Sequence, residues 1–136
     1  MIIADTSGLL ALFNSAEPTH AAVIDLVADV QDSFVVSPYV IAELDHLVAT
    51  RIGVSAELAV LDELASGAYE LPTFDAAAIR RAREVIERYD GQEIGLADAS
   101  LVVLADRYDT KQVLTLDHRH FGVIRPLSGG RFRLLP

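Results

Sequence analysis

The chain has no cysteine, no tryptophan, a single methionine and a single lysine, Lys111, among its 136 residues. Without cysteine, neither disulfides nor thiolate metal sites are available, and a reducing cytoplasm is the natural compartment. No uninterrupted apolar stretch approaches the roughly 20 residues of a membrane span. The N-terminal segment MIIADTSGLLALF is apolar, but it lacks a basic n-region and is interrupted by Asp5. It reads as a strand running into a helix, not as a signal peptide. There is no Walker A loop, GxSxG, GxGxxG or HExxH, so the usual signatures of nucleotide, acyl-transfer, dinucleotide and zinc-protease chemistry are missing.

What is present is apolar and acidic. The residues are 51% hydrophobic with a mean hydropathy of +0.33, which excludes a disordered chain and favours a buried core. The length fits one domain spanning residues 1–136. The net charge of −9 is uneven. Residues 1–106 hold five Lys/Arg and 18 Asp/Glu, whereas residues 107–136 hold six and two. An acidic protein is a poor non-specific binder of phosphate polymers. A local basic surface, aided by bound cations, still guides a polyanion. Charge therefore neither establishes nor forbids a nucleic-acid substrate.

Strand and helix signals alternate along the chain. Ile2–Ala4 is a short buried strand, with Thr6 and Ser7 able to cap a helix through about Phe13. Pro18 suits the first turn of a helix running to about Val30. Phe34–Val36 is a second strand, and Ser37-Pro38 opens a helix with Ser37 as N-cap. Val40, Ile41, Leu44, Leu47 and Val48 form its apolar stripe, flanked by Glu43. Gly53 ends that helix, Ser55 begins another through about Ser66, and Tyr69–Leu71 is a short strand. A polar-faced helix follows over about Asp75–Tyr89, then a turn at Asp90-Gly91 and an almost wholly apolar helix over about Leu96–Tyr108. Gln112–Leu116 is a strand, Asp117–Phe121 a tight turn or short helix, and Phe132–Leu134 the last strand. The pattern specifies an α/β fold, a three-layer α/β/α domain around a largely parallel sheet of four or five strands.

Four isolated acids fall where such a fold gathers ligands, beyond the carboxyl ends of the strands. Asp5 and Asp117 end strands, while Glu43 and Asp98 are expected in the first turns of helices reaching the same edge. Each has an ordinary structural explanation: an Asx-turn or N-cap for Asp5, an N-cap for Asp98, a capped turn for Asp117, a solvated carboxylate for Glu43. Crowding four carboxylates is costly because like charges raise each other's pKa values, and a divalent cation relieves the cost. Oxygen donors without cysteine suit Mg²⁺ or Mn²⁺, which activate water and stabilise charge on a phosphodiester oxygen.

The segments IADTSGLLALF, VVSPYVIAELDHLV, GLADASLVVLADRY and VLTLDHRHFG resemble the PIN domain, in particular the VapC ribonuclease toxins of bacterial type II toxin–antitoxin pairs. The resemblance spans essentially the whole chain, with all four acids in order. It implies a Mg²⁺- or Mn²⁺-dependent endoribonuclease that cuts structured RNA such as tRNA or rRNA, leaving a 5′-phosphate and a 3′-hydroxyl. It further implies a homodimer inhibited by a small VapB-like antitoxin. Asp5, Glu43, Asp98 and Asp117 take the family's acidic positions as catalytic residues and metal ligands, with Asp5 and Asp98 the direct ligands. Thr6 or Ser7 is then placed to orient a water or a carboxylate, although helix capping explains both hydroxyls.

In the His118-Arg119-His120 cluster, Arg119 is the candidate for a phosphate contact, against a solvated turn with His120 packed near Phe121. Arg80, Arg81, Arg83 and Arg88 read as a solvated helix face, and His46 as exposed. Leu9, Leu12, Phe13, Leu58, Leu61 and Leu64 are core or partner surface. Two other classes compete. One is a non-catalytic PIN-like scaffold that binds a protein partner. The other, a phosphoacceptor receiver domain, needs a lysine near the carboxylates, and Lys111 precedes its strand instead of following it.

Overall fold

A computed structural model describes all residues, Met1–Pro136. The elements run β1 (Ile2–Ala4), α1 (Thr6–Phe13), α2 (His20–Asp29), β2 (Phe34–Val36), α3 (Pro38–Arg51), α4 (Val54–Leu64), β3 (Tyr69–Glu70), α5 (Ala76–Arg88), α6 (Leu96–Arg107), β4 (Gln112–Leu114), α7 (His118–Val123) and β5 (Arg133–Leu135). All five strands are parallel and lie in the order β3-β2-β1-β4-β5. The chain lays down β1, β2 and β3 toward one edge, then crosses to add β4 and β5 on the other side. Right-handed crossovers assign α1–α4 to one face and α5–α7 to the opposite face. α1 packs on α2 and α3, α3 on α4, and α5 on α6.

The central strands β2, β1 and β4 are short and mainly apolar, as an all-parallel sheet covered on both faces requires. Every residue of β1 and β2 is buried, and they join Val113, Leu114, Leu101, Leu104 and Phe121 in one core cluster. α6 is buried from Ala99 to Ala105, the central helix that its almost wholly apolar surface anticipates. Leu9 and Leu64 are core, whereas Leu58 is 57% exposed and Leu61 is also exposed. No helix is long and apolar enough to cross a membrane.

Some boundaries differ from the sequence reading. With α3 starting at Pro38, Glu43 is its sixth residue and stands in the second turn, not the first. β4 stops at Leu114 because the Leu116 N–H is taken by the Ser7 hydroxyl (2.9 Å), which pulls the chain off the ladder. The last strand lies one residue later than expected. Phe132 packs edge-on against Phe121, with ring centroids 6.1 Å apart, and Arg133 enters the ladder opposite Gln112.

Adjacent strands β1 and β4 send the chain to opposite faces. The gap at their carboxyl ends is therefore a topological switch point, where open α/β sheets bind ligands. Gly8 brings α1 hard against this edge. A Cβ there would stand 2.6 Å from the Leu114 carbonyl oxygen, closer than any side chain tolerates, so only glycine permits this approach.

Candidate active site

Asp5 follows β1 and occupies the N-cap position of α1, yet its side chain makes no capping bond. Its Oδ2 instead accepts hydrogen bonds from Thr115 Oγ1 (2.7 Å) and Ser7 Oγ (2.8 Å). Each hydroxyl has one proton to give, and both give it to Asp5. Their lone pairs receive backbone N–H groups, Leu116 on Ser7 (2.9 Å) and Asp117 on Thr115 (2.9 Å). The network ties β1, α1 and the segment after β4 into one unit and fixes the Asp5 carboxylate, which is only 8% exposed. Burial raises the Asp5 pKa above its ordinary value, against the hydrogen bonds from Thr115, Ser7 and the Thr6 backbone.

Asp98 is the third residue of α6, whose N-cap is Gly95, so Asp98 is not the cap. Its pKa is pushed up to about 6, first by burial, then by the charge of Asp5, with Asp117 and Glu43 adding to the effect and His120 opposing it. The contributions of Asp5, Asp117 and Glu43 are what crowding of the four carboxylates produces. Asp117 does cap α7. Its Oδ1 accepts the His120 N–H (3.0 Å), and its Oδ2 lies 2.9 Å from His120 Nδ1. The same Nδ1 is 3.8 Å from Asp98 Oδ2, which makes His120 a bridge between the two carboxylates. Glu43 is exposed on α3.

A second hydroxyl pair registers the two helices that carry Glu43 and Asp98. Ser100 Oγ donates to the Ala97 carbonyl (2.6 Å), so the 2.7 Å contact to Ser37 Oγ is donated by Ser37. Ser37 also accepts the Tyr39 N–H (3.2 Å) as the expected cap of α3. Both serines are fully buried.

One open cleft of about 510 Å³ gathers these groups. Asp5, Thr6, Ser7, Glu43, Asp98, Asp117 and His120 line it, with Leu10, Leu47, Arg51 and Leu96. Six of the seven candidates, Asp5, Thr6, Ser7, Glu43, Asp98 and Asp117, thus come together. Arg119 does not: it is exposed on α7 and outside the lining, and the cluster's contribution to the cleft is His120. Thr115 and Arg51 were missed by sequence reasoning, and His120 was noted only as a neighbour of Arg119. A hydroxyl two residues before an acid at a strand end was a usable signal for Thr115, whereas Arg51 lies eight residues beyond Glu43 with nothing local to mark it.

As the side chains stand, no three Asp, Glu or His residues are close enough to enclose an ion by themselves. The donor set nevertheless fits a hard cation. It is all oxygen, and Mg²⁺ takes only one or two carboxylates while keeping several waters. Thr6 is one of the lining residues, and its buried Oγ1 has no hydrogen-bond partner in the protein, the kind of orphaned polar group that calls for a partner from outside the chain.

Comparison with known proteins agrees with this architecture. Residues 2–125 match the PIN domain family. The chain is 58% identical to Ribonuclease VapC26 of Mycobacterium tuberculosis over 135 residues, which is 99% of this chain and all of that protein. Its fold is similar to that of VapC20, described as a sarcin-ricin loop cleaving toxin, also from Mycobacterium tuberculosis. The TM-score is 0.86 at 22% identity over the full length of both chains. It is also similar to VapBC2 of Rickettsia felis bound to a promoter DNA fragment, with a TM-score of 0.72 at 19% identity over both full chains. FitAcB of Neisseria gonorrhoeae matches with a TM-score of 0.61 at 23% identity, over 90% of this chain and 91% of that one. The chain belongs to the PIN-domain family, within its VapC ribonuclease group.

Proposed function

We propose that the protein is the toxin of a type II toxin–antitoxin pair, a Mg²⁺- or Mn²⁺-dependent endoribonuclease that hydrolyses phosphodiester bonds in structured RNA such as tRNA or rRNA. The observation that carries this reading is the crowding of Asp5, Glu43, Asp98 and Asp117 around one cleft, expressed in the upward shift of Asp98. Family membership supports the ribonuclease activity. The target of VapC20, the sarcin-ricin loop, favours structured RNA as substrate.

Asp5 and Asp98 would hold the ion, with Glu43 and Asp117 completing the acidic rim. When bound, the ion neutralises the carboxylates, lowers the pKa of an attacking water and stabilises charge on the phosphodiester oxygen. The protein's own task is placement. Ser7 and Thr115 hold Asp5 in one orientation, and having given their protons to it they are not nucleophiles. His120 fixes Asp117 by two contacts, leaving that carboxylate little freedom to turn. The Ser37–Ser100 pair sets the distance between the walls that carry Glu43 and Asp98.

A small antitoxin is the proposed protein partner, as the VapBC2 neighbour suggests, and a homodimer is the proposed assembly. An apolar surface supports a protein contact of some kind: Ile52, Val54, Leu58 and Leu61 are exposed on or beside α4, next to an apolar hollow of about 370 Å³. The test of the activity is cleavage of bacterial RNA with Mg²⁺, with EDTA, and with Asp5→Asn or Asp98→Asn. Cleavage that survives both chelation and substitution removes the mechanism. Loss of cleavage in every arm except Mg²⁺ with the parent supports it.

A further inference from the structure

α3 turns one strip of side chains to the cleft: Glu43, Leu47 and Arg51. Four residues apart, they stack on one helix face. At 1.5 Å per residue the backbone positions of Glu43 and Arg51 lie about 12 Å apart along the helix axis. Arg51 is the last residue of α3, is exposed, and takes part in none of the molecule's ion pairs. Apart from His120, it is the one basic side chain in a lining that holds four carboxylates. Between the two ends of the strip the wall is apolar, with Leu47 on α3 and the 37% exposed Leu96 opening α6.

An RNA strand repeats the same order of chemistry: phosphate, a nucleoside with an apolar base face, phosphate. Free carboxylates repel such a polymer, so an unpaired guanidinium in the wall matters more here than one on the open surface. Arg also offers a two-pronged fork to a phosphate, which Lys does not. The 12 Å offset from Glu43 places this contact away from the bond being cut. We infer that Arg51 binds the phosphate neighbouring the scissile one, with the intervening nucleoside lying across Leu47 and Leu96. The cleft is thus a two-phosphate site in which α3 supplies both an acid and the phosphate clamp. The assignment rests on the ribonuclease reading and deepens it.

The test uses oligoribonucleotides spanning a cleavage site, each with a single neutral methylphosphonate linkage, against the parent protein, Arg51→Ala and Arg51→Lys. On unmodified RNA, Arg51→Ala should raise KM by about tenfold with kcat little changed, as loss of a positioning phosphate contact does. At one linkage beside the cut, neutralisation should weaken the parent to the same degree and leave Arg51→Ala unaffected, and Arg51→Lys should recover part of the loss. In parallel, equilibrium binding of a fluorescent oligoribonucleotide in EDTA needs no turnover. There the slope of log K against log salt should fall by about 0.7 in Arg51→Ala, the value for one single-strand phosphate contact. Unchanged KM and slope, or an Arg51→Ala variant as sensitive as the parent at every linkage, overturns the assignment while leaving the nuclease intact. A parent that cuts nothing but shows the slope difference keeps the phosphate site and removes the nuclease reading.

Discussion

Replacing Asp98 by Asn should stabilise the metal-free protein and abolish its ion-dependent stabilisation. Asp98 has a side chain 21% exposed and a pKa raised from 3.8 to about 6. Between about pH 4 and pH 6 the folded protein therefore holds a proton that the unfolded chain has lost, and linkage makes folding stability fall as pH rises through that window. Above it the penalty is complete. Two pKa units correspond to at most about 3 kcal/mol, and partial solvent access reduces this to about 1–2 kcal/mol. Asn has nearly the same shape and no charge, so near neutral pH with EDTA the variant should be more stable by about that amount, some 3–8 °C in Tm for a domain of this size. At pH 4 most of the advantage should be lost, because folded Asp98 is then protonated and carries no charge penalty. With Mn²⁺ the order should reverse, since an ion that binds only the folded parent raises its stability with ligand concentration. Thermal unfolding followed by circular dichroism, at both pH values with and without metal, measures all of this. A variant that melts lower than the parent at neutral pH in EDTA, or a pH-independent difference, refutes the electrostatic argument and makes Asp98 a structural residue.

Thr115→Val keeps the shape of the side chain but removes a donor to Asp5 and an acceptor for the Asp117 N–H. It should cost about 1–3 kcal/mol by urea denaturation and lower kcat for RNA cleavage, whereas a variant of parental stability and activity shows that the network is dispensable. Gly8→Ala drives a methyl group into the Leu114 carbonyl. It should destabilise by about 1–3 kcal/mol, with a readout in the same denaturation experiment. Ser37→Ala and Ser100→Ala should be non-additive, because they share one buried hydrogen bond; a double-mutant cycle with a coupling energy near zero contradicts their role as the brace between α3 and α6.

Periodicity and punctuation carried much of the fold. Ser37-Pro38 marks the start of α3 because an N-cap hydroxyl followed by a ring-locked φ has few other uses, and α6 is central because it is apolar nearly all round. The acids were legible since each stands alone beside an apolar run, so the topology had to bring them to one edge. What the sequence hid depends on contacts between distant segments. Thr115 reaches Asp5 across 110 positions and Ser37 reaches Ser100 across 63, and no local pattern encodes such pairings. Arg119 looked like the phosphate ligand because it neighbours Asp117. In a short helix capped by that Asp, it is His120 whose ring turns back to the carboxylate, leaving Arg119 in solvent. The limits of β4 and β5 shifted for the same reason, since side-chain partners, not strand propensity, ended the ladder.

The most direct test of the central claim is calorimetric titration of Mn²⁺ into the metal-stripped protein, its Asp5→Asn variant and its Asp98→Asn variant near neutral pH. The account predicts saturable binding by the parent and at least about tenfold weaker binding by each variant, as loss of a direct carboxylate ligand requires. A parent that takes up no Mn²⁺, or an Asp5→Asn variant that binds it as tightly, contradicts the account.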